Sequence, residues 1–339
     1  MSTPGCHSGD SRALTTPDVA LNTLMESLFP LLALPAISLP TALLLDRLLG
    51  EPQRCHPLVG FGHWASRCRQ WLQQSLDQRS TRQRGFGTLA WSLAVLPPVL
   101  LLTGLLHIMP DPIQTLTGIL VLYFTIGWQS LRQHAQAISE PLRRADIPAA
   151  RTAVSRIVSR DSAALDEAGI TKAGMESVLE NGSDAIFAPI FWFLLLGPAG
   201  ALLYRLANTL DAMWGYKTPS LLHFGWCAAR IDDVLNYLPA RLVVITYALC
   251  GKTRLALHCA WQQGRHWKSP NAGPVMAAGA GALGVELGGI AQYFGAPQQR
   301  PALGIGRSPK AMDLDRAILL VDMGVGLWVL TVWMLTFAF

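Results

Sequence analysis

The chain has 339 residues, 51% of them hydrophobic and only 14% charged, against roughly 25% charged in an ordinary soluble domain. That deficit excludes an ordinary soluble enzyme. The net charge of +5 is not gathered into one basic face or run, which argues against nucleic acid as a partner and for a membrane protein with basic cytoplasmic loops.

Residues 1–23 are polar, rich in Ser, Thr and Pro, and read as a disordered extension; residues 24–339 read as a single membrane domain. A spanning helix needs about 20 apolar residues. Residues 27–45 supply an uncharged run that Pro30, Pro35 and Pro40 should bend. Because that run lacks a small-residue cleavage site, it reads as an uncleaved span. Residues 86–108 contain no Lys, Arg, Asp or Glu, Met109 to Pro112 makes a turn, and 113–131 is again uncharged. A transmembrane hairpin is expected there.

Segment 46–85 carries seven Arg whereas the turn at 109–112 carries no basic residue, so the Arg-rich side should be cytoplasmic. Segment 132–185 returns to that side, with helical periodicity in Ala149 to Val158 and in Ile170 to Leu179. Two apolar stretches leave alternatives open. Residues 186–204 are broken by Gly197 to Gly200, and 234–250 contain Pro239 and Arg241. Either both span or both are re-entrant; the re-entrant arrangement, which is preferred, keeps the polar segments 46–85, 132–185, 205–233 and 251–316 on one side. Residues 317–339 form a last span with one charge, Asp322. The expected fold class is an all-α polytopic integral membrane protein of about 4 to 6 membrane helices, some re-entrant, with amphipathic cytoplasmic helices.

Polar residues that could carry chemistry fall into few groups. Ser159, Arg160 and Asp161 precede Glu176, Glu180 and Asp184, which are four residues apart and share one helix face, with Asn181 beside them. Such a stripe is either a solvated face or, since it runs directly into the apolar segment at Ile186, the start of a membrane-embedded site. Arg205, Asn208 and Asp211 share a second helix face. Arg230, Asp232, Asp233, Asn236 and Arg241 form a third group, which is either an internal salt-bridge cluster or a set of ligands for Mg²⁺, a cation that takes one or two carboxylates plus substrate phosphates. Charged groups at membrane depth are costly and usually functional. Ser269 to Pro274, containing Asn271, is turn-rich, and Asp46, Glu51 and His56 lie at the end of the first span, where His56 more often caps or packs than catalyses.

Other motifs fail. Gly251-Lys252-Thr253 lacks the upstream Gly of a P-loop because Thr246 stands there. Gly279, Gly281 and Gly284 spell GxGxxG without a preceding strand, which fits close helix packing better. The six cysteines form no CxxC pair and no regular spacing, so neither a disulfide framework nor a zinc site is indicated.

Over about residues 40–316 these segments, in order, resemble the adenosylcobinamide-phosphate synthase family of cobalamin biosynthesis (CbiB/CobD). The resemblance rests on Asp46 to Pro57, Val158 to Asp161, Glu176 through Asp184, Asn208 to Asp211 with Gly215-Tyr216, Ala229 to Asp233 with Pro239 to Arg241, and Ser269 to Gly273. Glu51 stands where Asp commonly precedes Pro, Gly182 where Thr is usual and Ala185 where Gly is usual. None of these departures removes a charged group.

The resemblance implies a carbon–nitrogen ligase that joins adenosylcobyric acid to aminopropanol phosphate, or ethanolamine phosphate, to give adenosylcobinamide phosphate, with ATP and Mg²⁺. It implies Glu180, Asp184 and Asp211 as Mg²⁺ ligands and Arg160, Arg230 and Arg241 as phosphate clamps. Asp232 or Asp233 would be the base, with Glu176 and Asp161 also catalytic and Asn208, Asn271, His56 and Asn181 binding substrate. The expected setting is the inner membrane of a bacterium, multi-pass, with the active segments facing the cytoplasm. Expected partners are the corrinoid, the amino-alcohol phosphate, the bilayer and other late cobamide-assembly membrane enzymes. The alternative is a non-catalytic sensor or a transporter on the same fold. A sensor would be expected to lose the acidic and Arg segments, and a transporter often shows internal repeats, which are not evident.

Overall fold

The computed structural model describes residues 35–52, 56–73, 80–158, 160–216, 218–293 and 296–338. The extension at 1–23, residues 27–34 of the first apolar run and Ser159 lie outside them. The chain is almost entirely helical, in the order α1 (35–49), α2 (Pro57–Gln73), α3 (Ser80–Ile108), α4 (Asp111–Thr125), α5 (Trp128–Arg143), α6 (Ile147–Val154), α7 (Glu167–Gly182), α8 (Ala188–Trp214), α9 (Trp226–Leu249), α10 (Thr253–Gln262), α11 (Ala272–Leu283) and α12 (Ala311–Ala338). Two short antiparallel ribbons add to the expected all-α fold: β1 (Leu287–Gly288) pairs with β4 (Ala302–Leu303), and β2 (Ala291–Tyr293) with β3 (Ala296–Gln298).

Three helical stretches are long and apolar enough to cross a membrane: Thr81–Ile108, Glu167–Trp214 and Ala311–Ala338. At 1.5 Å per residue α3 extends about 43 Å, more than a hydrocarbon core of about 30 Å requires. Its exposed Leu89, Leu96, Leu100, Leu101 and Leu105 would face lipid, where their exposure costs nothing.

The uncharged run 113–131 is not one helix. It breaks at Gly127, whose N–H is taken by the Ala185 carbonyl at 2.9 Å, and α5 starts at the next residue. The expected second limb of the hairpin is therefore α4 alone, about 22 Å long and short of a full span. α5 is amphipathic, and its buried Ala135, Ile138, Ser139 and Leu142 recur at helical spacing.

The stretch Glu167–Trp214 is not a straight rod. The Tyr204 hydroxyl donates to the Asp184 carbonyl at 3.0 Å, although twenty residues of continuous helix would separate the two by about 30 Å. The chain reverses at Gly197, where φ is 65° and ψ is −157°, a region open essentially to glycine alone. Pro198 follows at once, so α8 is a hairpin of two limbs, 188–196 and 198–214. α9 latches it through Trp192 Nε1 to the Leu235 carbonyl at 3.0 Å and Tyr204 Oη to Asn236 Oδ1 at 2.8 Å.

The larger of two buried clusters draws on every helix named here except α2 and α3, and the smaller joins α2, α3, the second limb of α8 and the start of α9. α11, built of small residues and buried throughout, packs against α7, α9 and α10; its GxGxxG serves packing, as expected. In α12, Asp322 is paired with Arg132 and accepts from Trp128 Nε1 at 2.8 Å. Nearby Asp313, fully buried, is held by Arg307 and Arg316, each at 2.7 Å. Cys68, Cys227, Cys250 and Cys259 are unpaired thiols.

Candidate functional site

α7 starts at Asp166, whose side chain caps the Gly169 N–H at 2.7 Å, and delivers its acidic stripe to the middle of the molecule. Glu176 is buried at 3% exposure and fully engaged. Arg160 pairs with it, Arg300 pairs with it at 2.8 Å, and the Gly288 N–H donates to it at 2.9 Å. Arg300 also stacks over Trp267, 5.3 Å from the ring centre, and donates to the Gly289 carbonyl at 3.2 Å. These contacts tie α7 to the β1–β4 ribbon. The resemblance put Glu176 among the catalytic candidates and Arg160 among the phosphate clamps; the structure pairs the two with each other.

One and two turns further on, the stripe changes character. Glu180, Asp184, Asp211 and Asp232 lie within electrostatic range of one another, and among the described residues none of the four is in an ion pair. Asp184 sits in the π-helical turn Ser183–Phe187 between α7 and α8, a kind of bulge frequent at functional sites. The α8 hairpin brings Asp211 back to it. Asp211 folds over Gly215, where an added Cβ would lie 2.0 Å from Asp211 Oδ1; the position needs glycine because a side chain would displace the carboxylate. Asp232 is aimed by two amides, Asn208 Nδ2 at 3.1 Å and Asn236 Nδ2 at 3.0 Å. Asn208 thus orients a carboxylate here. Among the described residues no three His, Cys, Asp or Glu side chains converge closely enough to hold a metal ion by themselves. The donor chemistry suits Mg²⁺ only if phosphate or water oxygens complete the shell.

The other sequence candidates scatter. Arg241 donates to Asn271 Oδ1 at 2.7 Å and lies over Tyr237, and Asn271 Nδ2 donates to the Asp233 carbonyl at 2.8 Å; both join α9 to the 269–274 turn. Exposed Arg230 is 3.7 Å from Asp233, and both line a cavity of about 360 Å³ with Arg84, His223 and Lys268. Asp161 is exposed, caps the Ala163 N–H at 3.2 Å and lines none of the cavities described. His56 accepts from the Leu58 N–H at 3.2 Å and packs edge-on against Phe124, a cap and packing residue. Burial, reinforced by Arg205 and opposed by Glu51, holds its imidazole below the ordinary value of 6.5, in keeping with an acceptor nitrogen at neutral pH.

Two cavities flank α7. One of about 230 Å³ is lined by Arg160, Glu176, Glu180 and Arg300; one of about 300 Å³ by Glu51, Arg156 and Arg205; both touch Ser177 and Asn181. Asn181 is exposed on the ridge between them. Arg205 was legible as a cation in an apolar neighbourhood, yet no spacing rule distinguishes it from its stripe partners. Asp46 accepts the Gln129 N–H at 2.7 Å and Tyr123 Oη donates to the Gly50 carbonyl at 2.8 Å, which brings the Asp46–Glu51 segment to the same place.

The profile of the CobD/Cbib protein family matches residues 39–321. A protein described as Cobalamin biosynthesis protein CobD from Stutzerimonas stutzeri is 55% identical over 295 residues, which cover 87% of this chain and 95% of the relative. Proteins with the same description from Chromobacterium violaceum and Mycobacterium tuberculosis are 52% and 39% identical, covering 86% and 84% of this chain and 94% and 90% of the relatives. No solved structure matches. With a profile match across most of its length and relatives this similar, the chain belongs to the CobD/CbiB family of cobalamin biosynthesis proteins.

Proposed function

We propose that the chain is an adenosylcobinamide-phosphate synthase, an ATP-dependent ligase that joins the propionate carboxylate of adenosylcobyric acid to the amine of aminopropanol phosphate or ethanolamine phosphate. The observation that carries this reading is the set of four carboxylates, Glu180, Asp184, Asp211 and Asp232, gathered without a single ion pair among the described residues. Four acids so placed repel one another unless a proton or a cation joins them. Glu180, Asp184 and Asp211 would hold Mg²⁺ together with phosphate oxygens, and bound Mg²⁺ would supply charge neutralisation on the ATP phosphates.

In the proposed reaction a carboxylate oxygen of the corrinoid attacks the γ-phosphorus of ATP, giving an acyl phosphate and ADP. The amine, freed of its proton by Asp232 or Asp233, then attacks the acyl carbon, and inorganic phosphate leaves as the amide forms. Asp232, aimed by Asn208 and Asn236, is the better oriented of the two. Arg230 stands at the mouth of its cavity to meet phosphoryl oxygens as a planar fork.

We place the enzyme in the inner membrane of a bacterium with α8 as a re-entrant hairpin, since Tyr204 against Asp184 returns both its ends to one side. The first apolar run, residues 27–45, and α9 are counted with the three long apolar stretches to give the four to six membrane helices. In this reading the active segments face cytoplasmic ATP, and other late cobamide-assembly membrane enzymes are its partners. A thiol placed at Ser220 should be labelled from the cytoplasmic side only; labelling from the opposite side would discard the re-entrant arrangement. The decisive experiment incubates membranes carrying the protein with adenosylcobyric acid, aminopropanol phosphate and Mg-ATP and weighs the corrinoid product. Formation of the amide is expected, and its absence with folded protein would leave the sensor reading.

A further inference from the structure

The cavity of about 300 Å³ beside α7 has a composition that the carboxylate cluster does not explain. Its wall carries Arg205, Arg156, His134, Ser130, Asn181 and a single carboxylate, Glu51. Arg205 is the informative member. Its Nε is buried without a hydrogen-bond partner, as is that of Arg132, but Arg132, Arg160, Arg300 and Arg316 are each matched to a carboxylate, whereas among the described residues Arg205 forms no ion pair. A buried guanidinium N–H left unmet is costly unless a ligand meets it. Arg156 is exposed at the mouth, and the first turn of α5, through Gly127 and Ser130, opens on the same space with the positive end of its dipole. The volume is at the small end of ligand sites, which run from about 300 to 1,000 Å³. It suits a small molecule and cannot hold a corrin ring.

We infer that this cavity binds a small phosphate monoester that also carries an ammonium group, with Arg205 and Arg156 clamping the phosphate and Glu51 favouring the cation. This inference rests on the proposed reaction, whose smaller substrate has this chemistry, and it assigns that substrate a subsite distinct from the second cavity, of about 230 Å³, at Glu180. The two share Ser177 and Asn181, and Arg205 lies within electrostatic range of Asp184, which in turn lies within range of Asp232, so a ligand seated here lies beside the carboxylate cluster.

The test uses the purified full-length protein in detergent. Titration calorimetry compares aminopropanol phosphate with aminopropanol, with inorganic phosphate and with glycerol phosphate, and steady-state assays of amide formation compare wild type with Arg205→Gln, Arg156→Gln and Glu51→Gln. The phosphorylated amine should bind where aminopropanol does not. Arg205→Gln should raise the KM for the phosphorylated amine about tenfold or more without moving the KM for ATP, Arg156→Gln should do so more weakly, and Glu51→Gln should erase the preference over glycerol phosphate. If Arg205→Gln fails to fold, Arg156 on the rim decides. An unchanged KM in folded Arg156→Gln and Arg205→Gln overturns the subsite while leaving the ligase reading intact. Equal binding of inorganic phosphate and the phosphorylated amine also overturns it. Binding that Arg156→Gln weakens, in a wild type that makes no amide, would uphold the subsite and sink the reaction instead.

Discussion

Glu176 and Asp184 stand eight residues apart on one acidic stripe, and the molecule treats them in opposite ways. Around Glu176 the charge is overpaid: two arginines and a backbone N–H surround one carboxylate, and the set locks α7 to the ribbon after α11. Around Asp184 the charge is left open: four acids neighbour one another and no Lys or Arg pairs with them among the described residues. A paired buried acid braces the scaffold. An unpaired group of acids is what the proposed Mg²⁺ site would require.

The comparison can be broken by neutralising each acid in turn. Glu176→Gln should unfold the scaffold, because Arg160 and Arg300 would be left buried without a counter-charge at a cost of about 3–5 kcal/mol; thermal melting in detergent should show the loss, with activity per folded molecule largely kept. Asp184→Asn or Asp211→Asn should do the reverse. Amide formation should fall about a hundredfold or more while the melting temperature holds or rises, since one repelling charge is gone. Intact activity in either variant would end the Mg²⁺ assignment. Gly197→Ala should cost about 1–3 kcal/mol through its disallowed backbone angles and, by loosening the hairpin that returns Asp211, should weaken activity and stability together.

The smallest effect is expected at His56. Its imidazole is held below 6.5 in the folded state, so the neutral form is favoured by folding. Its stabilising contribution is present above pH 6.5 and is lost as the pH falls through the lower folded value. His56→Gln should flatten that acid limb of the melting curve; an identical limb would remove His56 from the account.

Much of this was readable from residue order. The i, i+4 spacing of Glu176, Glu180 and Asp184 predicted a shared face, and Gly197-Pro198 announced the break in α8. The partners were not readable. Arg300 meets Glu176 across 124 positions of sequence, and no local pattern reports that an acid near a motif is already neutralised. The uncharged run 113–131 misled because apolar composition cannot show that Gly127 is pulled out of helix by the Ala185 carbonyl. Arg205 went unassigned because its meaning lies in what fails to touch it, which only packing reveals.

The α8 hairpin also constrains how the protein is made. Its descending limb, residues 188–196, is about 13 Å of helix, far too short to be released sideways into lipid as an ordinary span. The hairpin packs on α3 and α4, but its side-chain hydrogen bonds Trp192 to Leu235 and Tyr204 to Asn236 both run to α9, which the ribosome makes later and which also carries Asp232. The carboxylates should therefore come together only after α9 has emerged, and a nascent chain stopped before residue 226 should carry most of the acidic residues with no site among them.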